Sequence, residues 1–375
     1  MSRFSKVLLL VGFGNVEAAS SSAPASATCG DMKTLYRDNA CCGMPEKETG
    51  FQIVPDPKYN LALSANPCAG KKPAPGSGFD NIDCFVNGAV EALEQAGGDV
   101  TEGYVGGLAT TRLPITDNYW KKGLCPVNVH WHLGAEHRSQ GEFDEAGKGP
   151  LKAGTPSATN PNAGGRRLAD VRYGYACHKY DANDPKFTTP YKWKHCVGMY
   201  VGETYEVHWP HSAIGACHTP HQYQTPFYDG VFCGWTDAVA DAVNSDAQNL
   251  VNAVGVQAQV FTIVNDESYY YPDLMRGAIV DGQMWYDVAA YTGSTTGTTR
   301  NNEKCSKYTP ITWQVDRKCH LISASTFDKM CADMKQQPDD MSDDLHAHGA
   351  RELVATALTA NNLAEAPGGN GGNPR

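Results

Sequence analysis

The sequence predicts a mainly β (α+β) protein, and three observations predict it. Apolar runs are short and bounded by Gly, Pro and Asn. The sharpest of them alternate polar and apolar residues with the period of a strand. Clear helical periodicity is confined to short stretches. From about residue 103 onward, the runs at 127–133, 199–209, 258–264 and 311–315 carry the strand signal. Within residues 325–335, Phe327, Met330, Cys331 and Met334 share one helical face. Residues 81–96, stopped by Gly97-Gly98, read as a second short helix. There is no internal repeat.

The 375 residues are 41% hydrophobic and 10% aromatic, enough for a sizeable core. A formal net charge of −10, with no dense Lys/Arg run, argues against nucleic acid or an anionic membrane as a partner. The N-terminus resembles an export signal: Arg3 and Lys6, an apolar run at 7–13, then the small residues Ala18, Ala19 and Ser20. That run is too short to span a bilayer, so no membrane span is expected in the mature chain. Thirteen cysteines behind such a signal imply disulfides and a secreted, cell-surface or endomembrane location. The odd number leaves at least one free or paired between chains, and no CxxC pair suggests a zinc ribbon. The expected organisation is a signal peptide at 1–19, then a linker and cysteine-rich segment at 20–102. The main domain follows at 103–336, with a Gly/Pro-rich insertion around 147–197. A polar, partly disordered tail at 337–375 ends the chain. Nothing in the sequence sets an oligomeric state.

The chemistry concentrates in Asn128-Val129-His130-Trp131-His132-Leu133-Gly134-Ala135-Glu136-His137. Side chains of a strand alternate between faces, so Asn128, His130 and His132 share one face. Val127, Val129, Trp131 and Leu133 fill the other, which can pack in a core. Two neutral imidazoles side by side on a rigid strand can hold one zinc ion. A lone buried histidine is usually structural, but that explanation weakens for two on one strand face. A second strand repeats the logic. In Tyr205-Glu206-Val207-His208-Trp209, Glu206 and His208 share a face. His208 would be a third ligand, and Glu206 could accept its other ring N–H and fix the tautomer. An exposed Glu/His pair on an edge strand is the plainer reading of that segment alone. Three protein ligands leave a fourth metal position open, as in a catalytic rather than a structural zinc site.

These residues resemble the carbonic anhydrases. The alpha class carries His-x-His-x-x-x-Glu-His, matched by residues 130–137. A later Glu-x-His is matched by Glu206 and His208. A Tyr-x-Gly-Ser-x-Thr element is matched by Tyr291-Thr292-Gly293-Ser294-Thr295-Thr296. Thr312-Trp313 and Ile322-Ser323 match the strand and turn that follow. The wording of the first two motifs is closer still to the delta class of marine algae, and the resemblance spans roughly residues 103–335. It implies a large central mixed β-sheet with few helices. It implies reversible hydration of carbon dioxide to bicarbonate by hydroxide generated on Zn²⁺, with Co²⁺ a workable substitute. His130, His132 and His208 would be ligands. Thr296 would orient the nucleophile and pass its own proton to Glu136. Asn128 and Glu206 would orient ligand rings, His137 would be structural, and Trp313 would line the substrate pocket.

Two departures stand out. The stretch from His137 to Glu206 is longer than in the alpha class. No histidine precedes His130 in the chain, so a proton shuttle would come from elsewhere, with His211, His218 and His221 as candidates, or from buffer. Two other functions fit parts of the pattern. A cupin-like metal oxygenase also uses His-x-His, Glu and a distant His, but lacks use for residues 291–296. A non-catalytic relative would be expected to have lost a ligand, and all three are present. His346-Ala347-His348 lies in an acidic stretch and reads as a solvated segment. His178 and His195, beside Cys177 and Cys196, read as surface histidines next to disulfides.

Overall fold

The computed structural model describes residues 65–72, 81–150, 172–271, 273–277, 285–294, 302–306, 310–339 and 341–366. Seven strands form one mixed sheet: β1 (Cys125–Pro126), β2 (His130–Leu133), β3 (Thr204–Ser212), β4 (Val254–Val264), β5 (Val288–Gly293), β6 (Ile311–Ser323) and β7 (Ala364–Glu365). The order across the sheet is β7-β5-β6-β4-β3-β1, with β2 also paired to β3. All neighbours are antiparallel except β6 and β4, which run parallel. Five short helices occur among the described residues: α1 (Pro185–Thr188), α2 (Phe227–Val231), α3 (Asp237–Ser245), α4 (Gln248–Ala253) and α5 (Ala324–Lys335). The mainly β class and the large mixed sheet are therefore as expected.

Both faces of the sheet are covered, which explains why β4 is buried along its whole length. On one face Trp131, Val207, Trp209, Phe261 and Ile322 pack against Phe327, Met330 and Met334 of α5. The other face holds Val256, Ala258, Val260, Tyr291, Trp313 and Val315. Helix α5 starts where β6 ends because Ser323 caps it, its Oγ accepting from the Thr326 backbone N–H at 3.2 Å. The four apolar residues expected on its inner face are all buried.

Residues 81–96 are not a helix. Asn81–Asp83 pairs antiparallel with Lys304–Ser306, and Phe85–Val86 pairs with Ala89–Val90. The physical reason is the Asn87-Gly88 turn between the latter strands. Both residues have positive φ, 52° and 81°, the conformation a two-residue hairpin requires.

Five disulfides tie the described residues together: Cys68–Cys233, Cys84–Cys305, Cys125–Cys217, Cys177–Cys319 and Cys196–Cys331. Cys177 and Cys196 are thus in disulfides, as expected. The bonds indicate an oxidising, extracytoplasmic environment. Cys29, Cys41 and Cys42 and the expected export signal at 1–19 lie outside the described residues. No helix among the described residues is long and apolar enough to cross a membrane. Each disulfide closes a loop of at least 92 residues, so each strongly restricts the unfolded chain. Replacing the Cys177–Cys319 pair by Ala is expected to cost about 2–5 kcal/mol in urea unfolding. An unchanged midpoint would show that this bond restricts nothing.

The C-terminal stretch differs from the expected solvated tail. Over residues 341–366, Met341, Leu345, Ala350, Arg351, Val354, Leu358 and Ala360 are buried. Within it, His348 bridges to His132 of β2 and His346 to Val197. The glycine-rich end after Ala366 lies outside the described residues.

Candidate metal centre

Strand pairing assembles the centre. In the β2–β3 register His130 stands opposite His208, and His132 opposite Glu206. Opposed residues of antiparallel strands present side chains to the same face, within about 4.5–5.5 Å at Cβ. The three imidazoles converge, with ring centroids 5.3 Å apart for His130–His132, 5.3 Å for His130–His208 and 4.6 Å for His132–His208. One donor atom from each lies within 4.8 Å of the others. The opposite face of the same strands carries Trp131, Val207 and Trp209, fully buried, so the backbone holding the donors is anchored in core.

Each ring has one nitrogen committed elsewhere. Asn128 spends its amide N–H on the Gln224 carbonyl at 2.7 Å, which leaves its Oδ1 as acceptor for His130 Nδ1–H, also at 2.7 Å. His132 Nδ1–H donates to the Gly349 carbonyl at 3.2 Å. His208 Nε2–H donates to Glu206 Oε1 at 2.7 Å. His130 Nε2, His132 Nε2 and His208 Nδ1, the ring nitrogens not used in these bonds, are the atoms that would meet a cation. This set of three neutral nitrogen donors, each oriented by an acceptor on its far side, fits a zinc-type ion. Burial, and after it the neighbouring His132, His208 and His348, hold His130 well below the usual imidazole pKa. That favours the neutral imidazole, the form a metal ligand would need.

Glu206 is the keystone. Its carboxylate is fully buried and accepts four hydrogen bonds. Oε2 takes the backbone N–H groups of Glu136 and His137, at 2.5 and 3.2 Å. Oε1 takes His137 Nδ1–H at 2.6 Å and His208 Nε2–H at 2.7 Å. Burial alone would favour the neutral acid, but His137 and His208 outweigh it and keep the group well below the ordinary carboxylate range. Conversely, burial acts against charge on His208, and Glu206 overcomes it and raises the imidazole's basicity. His137 is thereby a structural link. Its Nε2 accepts from the Tyr291 hydroxyl at 2.7 Å, and that hydroxyl accepts from Gly97 N–H at 3.0 Å. The alternative grouping of His137, Glu206 and His208 as a metal site is filled by these bonds.

Glu136 lies close by and is mostly buried. Its Oε1 accepts the Arg351 backbone N–H at 2.6 Å and stands 3.3 Å from His132 Nδ1. Trp313 faces the triad, its ring 5.3 Å from that of His208. Thr296 lies outside the described residues. The shuttle candidates sit in other surroundings. His211 is buried, bonded through Nδ1 to the Trp209 carbonyl and packed edge-on to Tyr119, and burial lowers its pKa to about 4. His221 pairs with Asp339 at 2.7 Å. His218 sits in a turn with φ of 60°. The imidazole beside the triad is instead His348, stacked on His130 with centroids 5.4 Å apart. Sequence reasoning missed it, together with Gly349, Arg351 and Gln224. Gly349 and Gln224 act through backbone carbonyls, which leave no trace in residue identity.

Taken together, a mixed sheet presenting three imidazoles and a buried orienting carboxylate is the class of site that could hold a metal ion. The family model described as delta carbonic anhydrase matches residues 121–326, more than half of the chain. The chain therefore belongs to the delta carbonic anhydrase family. Searches of curated proteins and of solved structures return no significant match.

Proposed function

We propose that this protein is a zinc-dependent carbonic anhydrase that interconverts carbon dioxide and bicarbonate. The observation that carries the reading is the donor set: three imidazoles on one sheet face, each with its other nitrogen bound to an acceptor. His130, His132 and His208 would hold the ion. A dipositive ion on three neutral ligands supplies hydroxide at neutral pH, a property for which carbonic anhydrases are themselves the standard example.

The chain's own residues do the rest. Asn128, Gly349 and Glu206 keep the ligand rings in the tautomer and rotation the ion needs. Glu136, held through Oε1, would offer its remaining oxygen to the Thr296 hydroxyl. A hydroxyl that has donated to a carboxylate can only accept from its next partner, so Thr296 would aim the nucleophile's lone pair at the carbon. Trp313, with Phe227 whose ring lies 6.5 Å from His130, supplies apolar surface suited to an uncharged substrate. The proton released passes to solvent or buffer.

The test is stopped-flow carbon dioxide hydration with metal quantified on the same sample. About one zinc per chain with rapid hydration is expected. Bound zinc without hydration would favour a non-catalytic relative, and bound iron an oxygenase. Thr296→Ala is expected to keep zinc and lose roughly a hundredfold in kcat, the scale of losing a reacting group's orientation. Full activity in that variant would end the orienting role.

A further inference from the structure

We propose that residues 344–351 form a strap that completes the metal centre by positioning His130, His132 and Glu136. The proposal rests on the zinc reading above and adds a part of the chain lying beyond the family match, which ends at residue 326. Four independent contacts carry it. Strand β2 pairs with β3 along one edge, and the strap covers the other. His348 N–H donates to the Trp131 carbonyl at 2.7 Å, and Leu133 N–H to the His348 carbonyl at 2.8 Å. These bonds bracket His132 and fix the peptide that bears it. The next carbonyl, Gly349, takes His132 Nδ1–H, so the acceptor that sets this ring's rotation is backbone of the strap. Two residues further, Arg351 N–H holds Glu136 Oε1 at 2.6 Å.

The fourth contact is ring on ring. His348 lies over His130 at 5.4 Å with only 20° between planes, and 5.7 Å from His132. Its own rotation is fixed by Asp344, whose Oδ1 meets His348 Nε2 at 2.8 Å. Asp344 is in turn held by the Thr225 hydroxyl. Farther along, Ala350 N–H donates to the Arg172 carbonyl at 2.9 Å, and the buried Arg351 guanidinium donates to the Ala96 carbonyl at 3.2 Å. The strap is thus anchored at both ends, and between them it touches two of the three ligands and the carboxylate beside them. Groups that orient metal ligands typically change affinity 10- to 100-fold when lost. Coupling is reciprocal: if the strap steadies the ligands, the ion must steady the strap.

Hydrogen exchange on the full-length protein, zinc-free and zinc-loaded, reads this directly. Zinc is expected to slow exchange in peptides covering 344–351 together with those covering 130–133. In parallel, zinc release to a chromogenic chelator is expected to be about tenfold faster in His348→Ala. His348→Phe, which keeps a ring over His130, is expected to stay near the wild-type rate. Zinc-dependent protection of 130–133 with unchanged exchange in 344–351 overturns the proposal while leaving the zinc reading intact. A wild type that takes up no zinc overturns both. Should His348→Ala fail to fold, the exchange comparison on wild-type protein decides alone.

Discussion

Replacing His132 by Ala is expected to yield a folded protein that no longer retains zinc and hydrates carbon dioxide only at the background rate. The fold survives because the His132 ring meets the Gly349 carbonyl and borders Glu136. Neither contact belongs to the core on the far side of β2. The metal is not expected to survive. Zinc sites contribute apparent binding free energies of about 10 kcal/mol or more, shared among their ligands. Losing one ligand of three therefore removes roughly 3–4 kcal/mol, two to three orders of magnitude in affinity. Metal content by mass spectrometry, hydration rate and circular dichroism on one sample check the result. Retention of one zinc per chain would remove His132 from the ligand set. His208→Ala is expected to differ, since it also strips a hydrogen-bond donor from Glu206, so that stability should fall along with metal.

The reason so much of this centre is legible in the sequence is alternation. On β2 and β3, one face must enter the core and the other must present polar groups. Trp131 and His132, or Val207 and His208, therefore declare their faces by chemistry alone. The β2–β3 register then follows from burying both apolar sets together, since a shift of one residue would send Trp131 and Val207 to the wrong face. The mixed sheet itself is legible only through the family resemblance, because β4 and β6 are buried on both faces and show no period. Residues 81–96 mislead because their sparse apolar spacing reads as helical, while the Asn87-Gly88 hairpin signal stands beside it to be weighed. The strap escapes for a different reason. His346, His348 and Arg351 are polar residues in a polar neighbourhood, and composition places such residues in water. His346 does stay exposed, but His348 is half-buried and Arg351 buried, and that depends on where the backbone docks. A carbonyl such as that of Gly349 is available to any residue, so its use as a ligand's acceptor has no signature in the chain.

Glu206→Ala is expected to produce the largest loss of stability among substitutions at the centre. Four donors point at this carboxylate: His137 Nδ1, His208 Nε2 and the backbone N–H groups of Glu136 and His137. The site is fully buried, so water cannot replace the lost acceptor without opening the fold. Removing one partner from a buried charged cluster typically costs about 3–5 kcal/mol, a large part of the 5–15 kcal/mol that roughly sets a domain's total stability. Glu206→Gln separates this structural effect from the effect on zinc. Its oxygen can still accept from one side, but its amide N–H groups meet donors on the other. The conflict falls on His137 and His208 or on the two backbone groups, whichever way the amide turns. The glutamine variant therefore keeps the fold better than the alanine variant, yet binds zinc about 10- to 100-fold more weakly than wild type. Urea midpoints of the zinc-free proteins, set beside chelator-competition affinities of the loaded ones, measure the two effects separately. If the glutamine variant matched wild type in both, the carboxylate's charge would be irrelevant to the centre, and hydrogen-bond acceptance alone would account for its burial.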